Sequence, residues 1–222
     1  MNGGPSNRTI GIVILAAGES ARMGQPKQLL PYVGTTLLRH TVEKALSIPD
    51  AWVIVVLGAF AEKIRPSLNG LPVTIVENPA WSSGMGSSLR TGLEAALFAN
   101  SETAAAIFLL CDQPLVSTAI LDALIQTHRE TGATIVASEY GEILGVPALF
   151  HRSLFPELLG LSGGEGAKKI ISRHRDKAIG IPFADGAVDI DTPGDYAGLH
   201  NPHLADYAPS NLNAVWRIRE WG

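Results

Sequence analysis

Continuous runs of β-branched and other apolar residues recur along this chain, and amphipathic stretches separate them. "TIGIVILAA" (Thr9 to Ala17) is the first run, followed by "AWVIVVLG" (Ala51 to Gly58), "VTIVEN" (Val73 to Asn78) and "AAAIFLLCD" (Ala104 to Asp112). "ATIVASEY" (Ala133 to Tyr140) and "GVPALF" (Gly145 to Phe150) complete the set. A strand with one wet face alternates apolar and polar residues; a run without polar positions needs cover on both faces. The intervening segments supply that cover. "TTLLRHTVEKALSI" (Thr35 to Ile48) sets Leu38, Val42, Ala45 and Leu46 on one side of a helix. "GSSLRTGLEAALFA" (Gly86 to Ala99) and "STAILDALIQTHRE" (Ser117 to Glu130) repeat the spacing, with Ser117 placed as an N-cap. The alternation predicts a three-layer α/β fold around a mainly parallel sheet.

Length and charge narrow the function. The 222 residues suit a single domain spanning 1–222, with residues 1–8 as a flexible leader and about 197–222 as a C-terminal extension. With 46% apolar and 17% charged residues the chain has the make-up of a packed globule. A net charge of -4 argues against nucleic acid or an anionic membrane as partner. The lone cysteine, Cys111, has no internal disulfide partner. No apolar stretch is long enough to span a bilayer, and "MNGGPSNRT" lacks the apolar centre of a secretory signal. A cytoplasmic location is therefore expected.

Ligands in open α/β sheets bind beyond the carboxyl ends of the strands. "ILAAGESARMGQPKQLLP" (Ile14 to Pro31) stands at that place after the first run. Gly18 permits close backbone approach, Arg22 offers a planar fork and Lys27 a compact charge, a set suited to a polyphosphate. The stretch matches neither the P-loop nor the dinucleotide fingerprint. Asp112 closes the run "FLLCD", and "VDIDTPGDY" (Val188 to Tyr196) offers Asp189 and Asp191 at what reads as another strand end. Carboxylates there suit Mg²⁺, which binds through one or two of them plus substrate phosphates. Cys111 reads as core. His40, His128, His151, His174, His200 and His203 have no metal-ligand spacing, and "HRD" at His174 lacks every other kinase feature.

These segments carry a resemblance. "LAAGESARMGQPKQLLP", "NPAWSSGMGSSLRTGL", "LLCDQPLV", "GVPALF" and "VDIDTPGDY" occur in the order found in nucleotidyltransferases acting on molybdenum cofactor, from about Ile10 to about Tyr196. The chain most resembles the molybdenum cofactor cytidylyltransferase family; "LAAG" is typical of that branch, whereas guanylyl-transferring relatives usually carry "LAGG". The resemblance implies a Rossmann-like nucleotidyltransferase fold with a mixed sheet. It implies that Leu15, Ala16, Ala17 and Gly18 line the nucleotide, that Arg22 and Lys27 hold its phosphates, and that Gly84, Gly86 and Ser88 approach the base. Ser87 and Ser88 read equally as helix N-caps. Asp112 and Asp191 would bind Mg²⁺, with Asp189 less certain. One segment departs from the family. The usual "GDxGAR" is here "GGEGAKKI" (Gly163 to Ile170), so Glu165 replaces a shorter carboxylate and Lys168 an arginine.

The implied reaction is CMP transfer from CTP to the phosphate of molybdopterin, with loss of pyrophosphate. Arg22, Lys27 and Asp112 act by positioning and charge neutralisation rather than as nucleophiles. A recipient molybdoenzyme is the implied protein partner. Guanylyl transfer to the same cofactor, cytidylyl transfer to a sugar or polyol phosphate, and a chaperone that delivers molybdenum cofactor are the alternatives that the residues leave open.

Overall fold

The computed structural model describes residues 10–199; the leader and the chain from residue 200, with His200 and His203, lie outside the described residues. Seven strands form one sheet: β1 (Ile10–Ala16), β4 (Ala51–Leu57), β5 (Thr74–Glu77), β6 (Ala105–Leu110), β7 (Ile135–Tyr140), β8 (Ile143–His151) and β9 (Ala178–Pro182). A two-stranded hairpin, β2 (Pro31–Tyr32) and β3 (Thr35–Thr36), stands apart. The sheet order is β5-β4-β1-β6-β8-β7-β9. Strand β8 alone runs against the rest, pairing antiparallel with β6 on one side and β7 on the other. The expected mainly parallel, mixed sheet is what forms.

Both faces are covered, as the runs without polar positions require. On β1, Ile12 and Ile14 face one apolar layer with α1 (Leu37–Leu46) and α4 (Thr118–Thr131). Val13 and Leu15 face the other, with α3 (Met85–Ala99), α5 (Phe155–Leu159) and α6 (Ala167–Arg173). The short helices α2 (Ala61–Ile64) and α7 (Pro193–Leu199) complete the set. Phe108 and Phe150 meet edge to face across β6 and β8, their centroids 5.9 Å apart, a geometry favoured by the ring quadrupoles.

The expected caps divide. Ser117 caps α4 by accepting from Ile120 N at 3.4 Å. Thr36 caps α1, so that helix begins two residues later than "TTLLRH" implies, and Thr35 pairs in the small hairpin instead. Ser87 and Ser88 are not caps of α3. Gly84 holds that position without a side-chain bond, because its φ of 115° suits glycine alone. A further correction concerns "VDIDTPGDY". Asp189 and Asp191 do not close a strand; they lie in an extended segment beyond the 3₁₀ turn Ala184–Ala187. That segment is fixed to the sheet where Ile190 N donates to Asp112 O at 2.9 Å.

Helix α3 crosses β1 and β4 at Gly92, where a methyl group would come within 2.3 Å of Val13 Cγ1 and 2.9 Å of Val56 Cγ2. Gly92→Ala gains helix propensity but forces both valines off their positions, and overpacking of this kind costs about 1–3 kcal/mol. The expected outcome is a fall in the melting temperature by a few degrees, roughly 2–4 °C per kcal/mol for a chain of this size, measured by calorimetry. An unchanged or higher value would show that α3 is free to slide on the sheet.

Candidate active site

The loop after β1 is shaped from within by Gln28, which is fully buried. Its Nε2 donates to Ala16 O at 2.9 Å and to Gly18 O at 3.0 Å. Ser20 Oγ donates to its Oε1 at 3.4 Å and accepts from Lys27 N at 3.1 Å. One amide thus ties both ends of the loop together. The sequence hides this, since a glutamine beside Lys27 reads as solvent-facing; its signal is a polar residue directly before the apolar pair Leu29 and Leu30. The side chains of Leu15, Ala16 and Ala17 are buried. Gly18 has open space where a side chain would start. The loop therefore presents Gly18 and the chain beyond it to a ligand.

Lys27 stands at the centre of the site. Its ammonium lies 2.5 Å from Asp112 Oδ2 and 2.9 Å from Asp191 Oδ1. Arg22 reaches the other oxygen of Asp191 at 2.8 Å. The structure thus brings together the predicted cations and carboxylates from segments far apart in sequence. Burial works against the Lys27 charge, but Asp112 and Asp191 outweigh it and hold the ammonium well above its ordinary range. Burial pushes the Asp189 carboxyl up to about 7, and the charges of Asp112 and Asp191 push the same way. Burial likewise raises the Tyr140 hydroxyl to about 12, helped by Asp189, and the Cys111 thiol to about 12, which fits core packing.

The donor set fits a divalent cation. Asp112 Oδ1 and Asp189 Oδ1 are buried without a hydrogen-bond partner, and such oxygens are costly unless a cation or donor meets them. Among the described residues no three His, Cys, Asp or Glu side chains converge to hold an ion alone. A metal would therefore share Asp112 with substrate oxygens and water, in the manner usual for Mg²⁺; of the two further carboxylates, Asp189 carries the unpartnered oxygen, and Asp191 would have to exchange its ion pairs with Lys27 and Arg22.

The residues expected near the base do structural work in the described chain. A methyl on Gly84 would meet Gly163 O at 2.3 Å, and one on Gly86 would meet Ser162 O at 2.1 Å. In return a methyl on Gly163 would meet Ser83 O at 2.2 Å. Gly86 N donates to Gly163 O at 2.9 Å, so the start of α3 and the loop before α6 interlock through bare backbone. Glu165 braces that loop, accepting from Ser162 N at 2.9 Å and pairing with Lys169. Ser88 is buried, and its Oγ accepts from Asn78 Nδ2 at 2.9 Å, which also reaches Ser87 Oγ at 2.8 Å. Asn78 and Gln113 are organising residues that sequence reasoning missed. Gln113 is buried and donates to Gly186 O at 3.0 Å, holding the turn that leads to Asp189. Each lies shortly after a strand and directly before a proline, Pro79 or Pro114, the one hint the sequence offers.

Residues 12–178 match the family described as MobA-like NTP transferase domain. The chain belongs to that family. It is a nucleotidyltransferase of the MobA-like type. Nicotine blue oxidoreductase of Paenarthrobacter nicotinovorans is 34% identical over 169 residues, covering 73% of this chain and 81% of that protein. A solved homologue of Mycobacterium tuberculosis Rv0371c, from Mycobacterium sp. strain JC1, is 33% identical with a TM-score of 0.74, covering 86% of this chain and 94% of that one. Rv0371c of Mycobacterium tuberculosis H37Rv in complex with manganese is 31% identical with a TM-score of 0.69, covering 86% of this chain and 97% of that one.

Lys27 is an internal counter-ion as well as a candidate phosphate ligand. Breaking a buried charge pair by removing one partner costs about 3–5 kcal/mol. Lys27→Met in chelator is therefore expected to melt on the order of 10 °C lower. Millimolar Mn²⁺ or Mg²⁺ should restore part of that loss, because the ion replaces the missing positive charge. Equal melting temperatures with and without the ion would contradict a metal site at Asp112 and Asp191.

Proposed function

We propose that this protein transfers CMP from CTP to the phosphate of molybdopterin, releasing pyrophosphate, and works as a single cytoplasmic domain that hands its product to a recipient molybdoenzyme. The observation that carries the reading is the Lys27 ammonium set between Asp112 and Asp191, with Arg22 on the same carboxylate, at the mouth of the loop after β1. Two cations and two carboxylates beside a backbone-lined loop suit a triphosphate with a divalent ion.

The acceptor phosphate oxygen attacks the α-phosphorus in line. The new P–O bond forms as the bond to the α,β-bridging oxygen breaks, and pyrophosphate leaves with that electron pair. Arg22 and Lys27 face the triphosphate and neutralise the charge that grows on the leaving group. Leu15 to Gly18 form one wall of the nucleotide seat. The turn around Gly84, Gly86 and Ser88 forms the rim towards the base, its shape held by Asn78 and the Gly163 carbonyl. Mg²⁺, held by Asp112 and Asp191, would add positive charge at the phosphates. Preference for CTP rests on Ala17. The Ala17 methyl packs inwards against Gly58, so its bearing on base choice is through the backbone path of "LAAG" and the resemblance to the cytidylyl-transferring branch.

Pyrophosphate release is measured with CTP, GTP and ATP, each with and without molybdenum cofactor. Release that needs the cofactor and is fastest with CTP is expected. A preference for GTP would move the chain to guanylyl transfer, and release driven by a sugar or polyol phosphate would replace the acceptor. Cofactor binding without turnover would make it a delivery protein. Asp112→Asn keeps the size of the side chain and removes its charge. It is expected to fold and to lose roughly a hundredfold or more in turnover, the scale of losing one transition-state contact.

A further inference from the structure

A cavity of about 600 Å³ opens beside the tip of the β7–β8 hairpin, against α6 and the turn that follows it. Its size lies within the range of small-molecule sites, roughly 300–1,000 Å³. Glu139 and Glu142 stand on the hairpin side, Lys168 and Arg175 on the opposite side, and Ile143 and Ile171 give an apolar floor. Among the described residues no hydrogen bond or ion pair engages the side chains of Glu139, Glu142 or Lys168. Arg175 donates only to the backbone, meeting Glu142 O at 3.2 Å. Four charged groups thus face one space without pairing to each other.

The cavity lies on the same end of the sheet as the Lys27 cluster. Because β8 runs against β6, with Phe108 opposite Ala148, the start of β8 passes beyond the end of β6, where Asp112 sits. Tyr140 and Glu139 are neighbours on β7, and strand alternation sends them to opposite faces. Tyr140 packs over Gly145 and Gly186, beside the turn that leads to Asp189. Glu139 lines the cavity. The loop that interlocks with Gly84 ends at Gly166, two residues before Lys168, so the same joint that shapes the nucleotide rim also places the cavity wall.

We infer that this cavity seats the nitrogen-heterocyclic end of the acceptor, remote from the phosphate that reacts at Lys27. This rests on the acceptor reading above. A simple anion is disfavoured by two carboxylates, and a simple cation by Lys168 and Arg175. A flat heterocycle of the pterin class carries an amino group and ring N–H donors on one edge and carbonyl and ring-nitrogen acceptors on the other. Carboxylates accept from the first edge, Lys168 and Arg175 donate to the second, and the isoleucines cover the ring faces. Lys168, which stands where the family has arginine, thus contacts the ring end of the acceptor and not its phosphate.

Neopterin serves as the probe, titrated by its own fluorescence against wild-type protein, Glu139→Gln and Lys168→Ala, with CTP affinity as a control for folding. Wild-type binding that weakens tenfold or more in both variants, with CTP affinity unchanged, is the expected result. Equal binding by all three proteins, or none by the wild type, would overturn the cavity assignment. Cofactor-dependent pyrophosphate release is measured alongside. If it persists while neopterin ignores both substitutions, the acceptor reading stands and the cavity does not. If neopterin binding is sensitive to the substitutions but the cofactor gives no release, the cavity stands and the acceptor reading falls.

Discussion

The ammonium of Lys27 is the point on which the candidate site depends. It joins three segments that the chain delivers separately: the loop after β1, the end of β6 through Asp112, and the stretch beyond β9 through Asp191. Without a cation there, carboxylates with buried, unpartnered oxygens would face one another, and like charges at such range are costly. The mixed sheet, the short loop beyond Leu110 and the turn at Ala184–Ala187 bring these groups into contact. Under the proposed function, a charge that the phosphates would need is thereby held ready in the folded protein by carboxylate partners.

Neutral amides hold the surrounding backbone in the same spirit. Gln28 closes the loop after β1, Asn78 holds two serines at the start of α3, and Gln113 fixes the turn before Asp189. Each is buried and spends its amide on groups of another segment, backbone carbonyls for Gln28 and Gln113 and serine hydroxyls for Asn78. The site is therefore rigid in its supports and charged only at its centre. Such a division suits transfer chemistry, in which positioning does most of the work.

Much of this was legible in the sequence for a physical reason. The runs around Ile12, Val55 and Ile107 are free of polar positions because both faces are covered, so strand identity and fold class follow from residue type. Arg22, Lys27 and Asp112 stood out because they follow apolar runs that read as strands, and Asp191 because it follows the apolar residues of "VDID", although no strand forms there. Strand β9 was not, since "AIGIP" is half-exposed and broken by glycine and proline, so the pattern is too short to carry a period. The second strand of the small hairpin, Thr35–Thr36, was absorbed into the helix that follows it. The resemblance implied that Gly84 and Gly86 approach the base; the structure adds that both also admit another part of the chain. Absence of a side chain looks the same in sequence whatever approaches it. Gln28 was missed because burial of a polar residue depends on contacts that close only when the loop folds back.

The interlock of Gly84, Gly86 and Gly163 has a mechanical consequence. A joint made of side chains has rotamers, and its stiffness falls as they begin to exchange. Here the mating surfaces are peptide planes in contact, with carbonyls seated where methyl groups would be. Peptide planes resist bending far more than side chains resist rotation. The joint therefore behaves as a rivet between the third and sixth helices, carrying displacement from one to the other without lost motion.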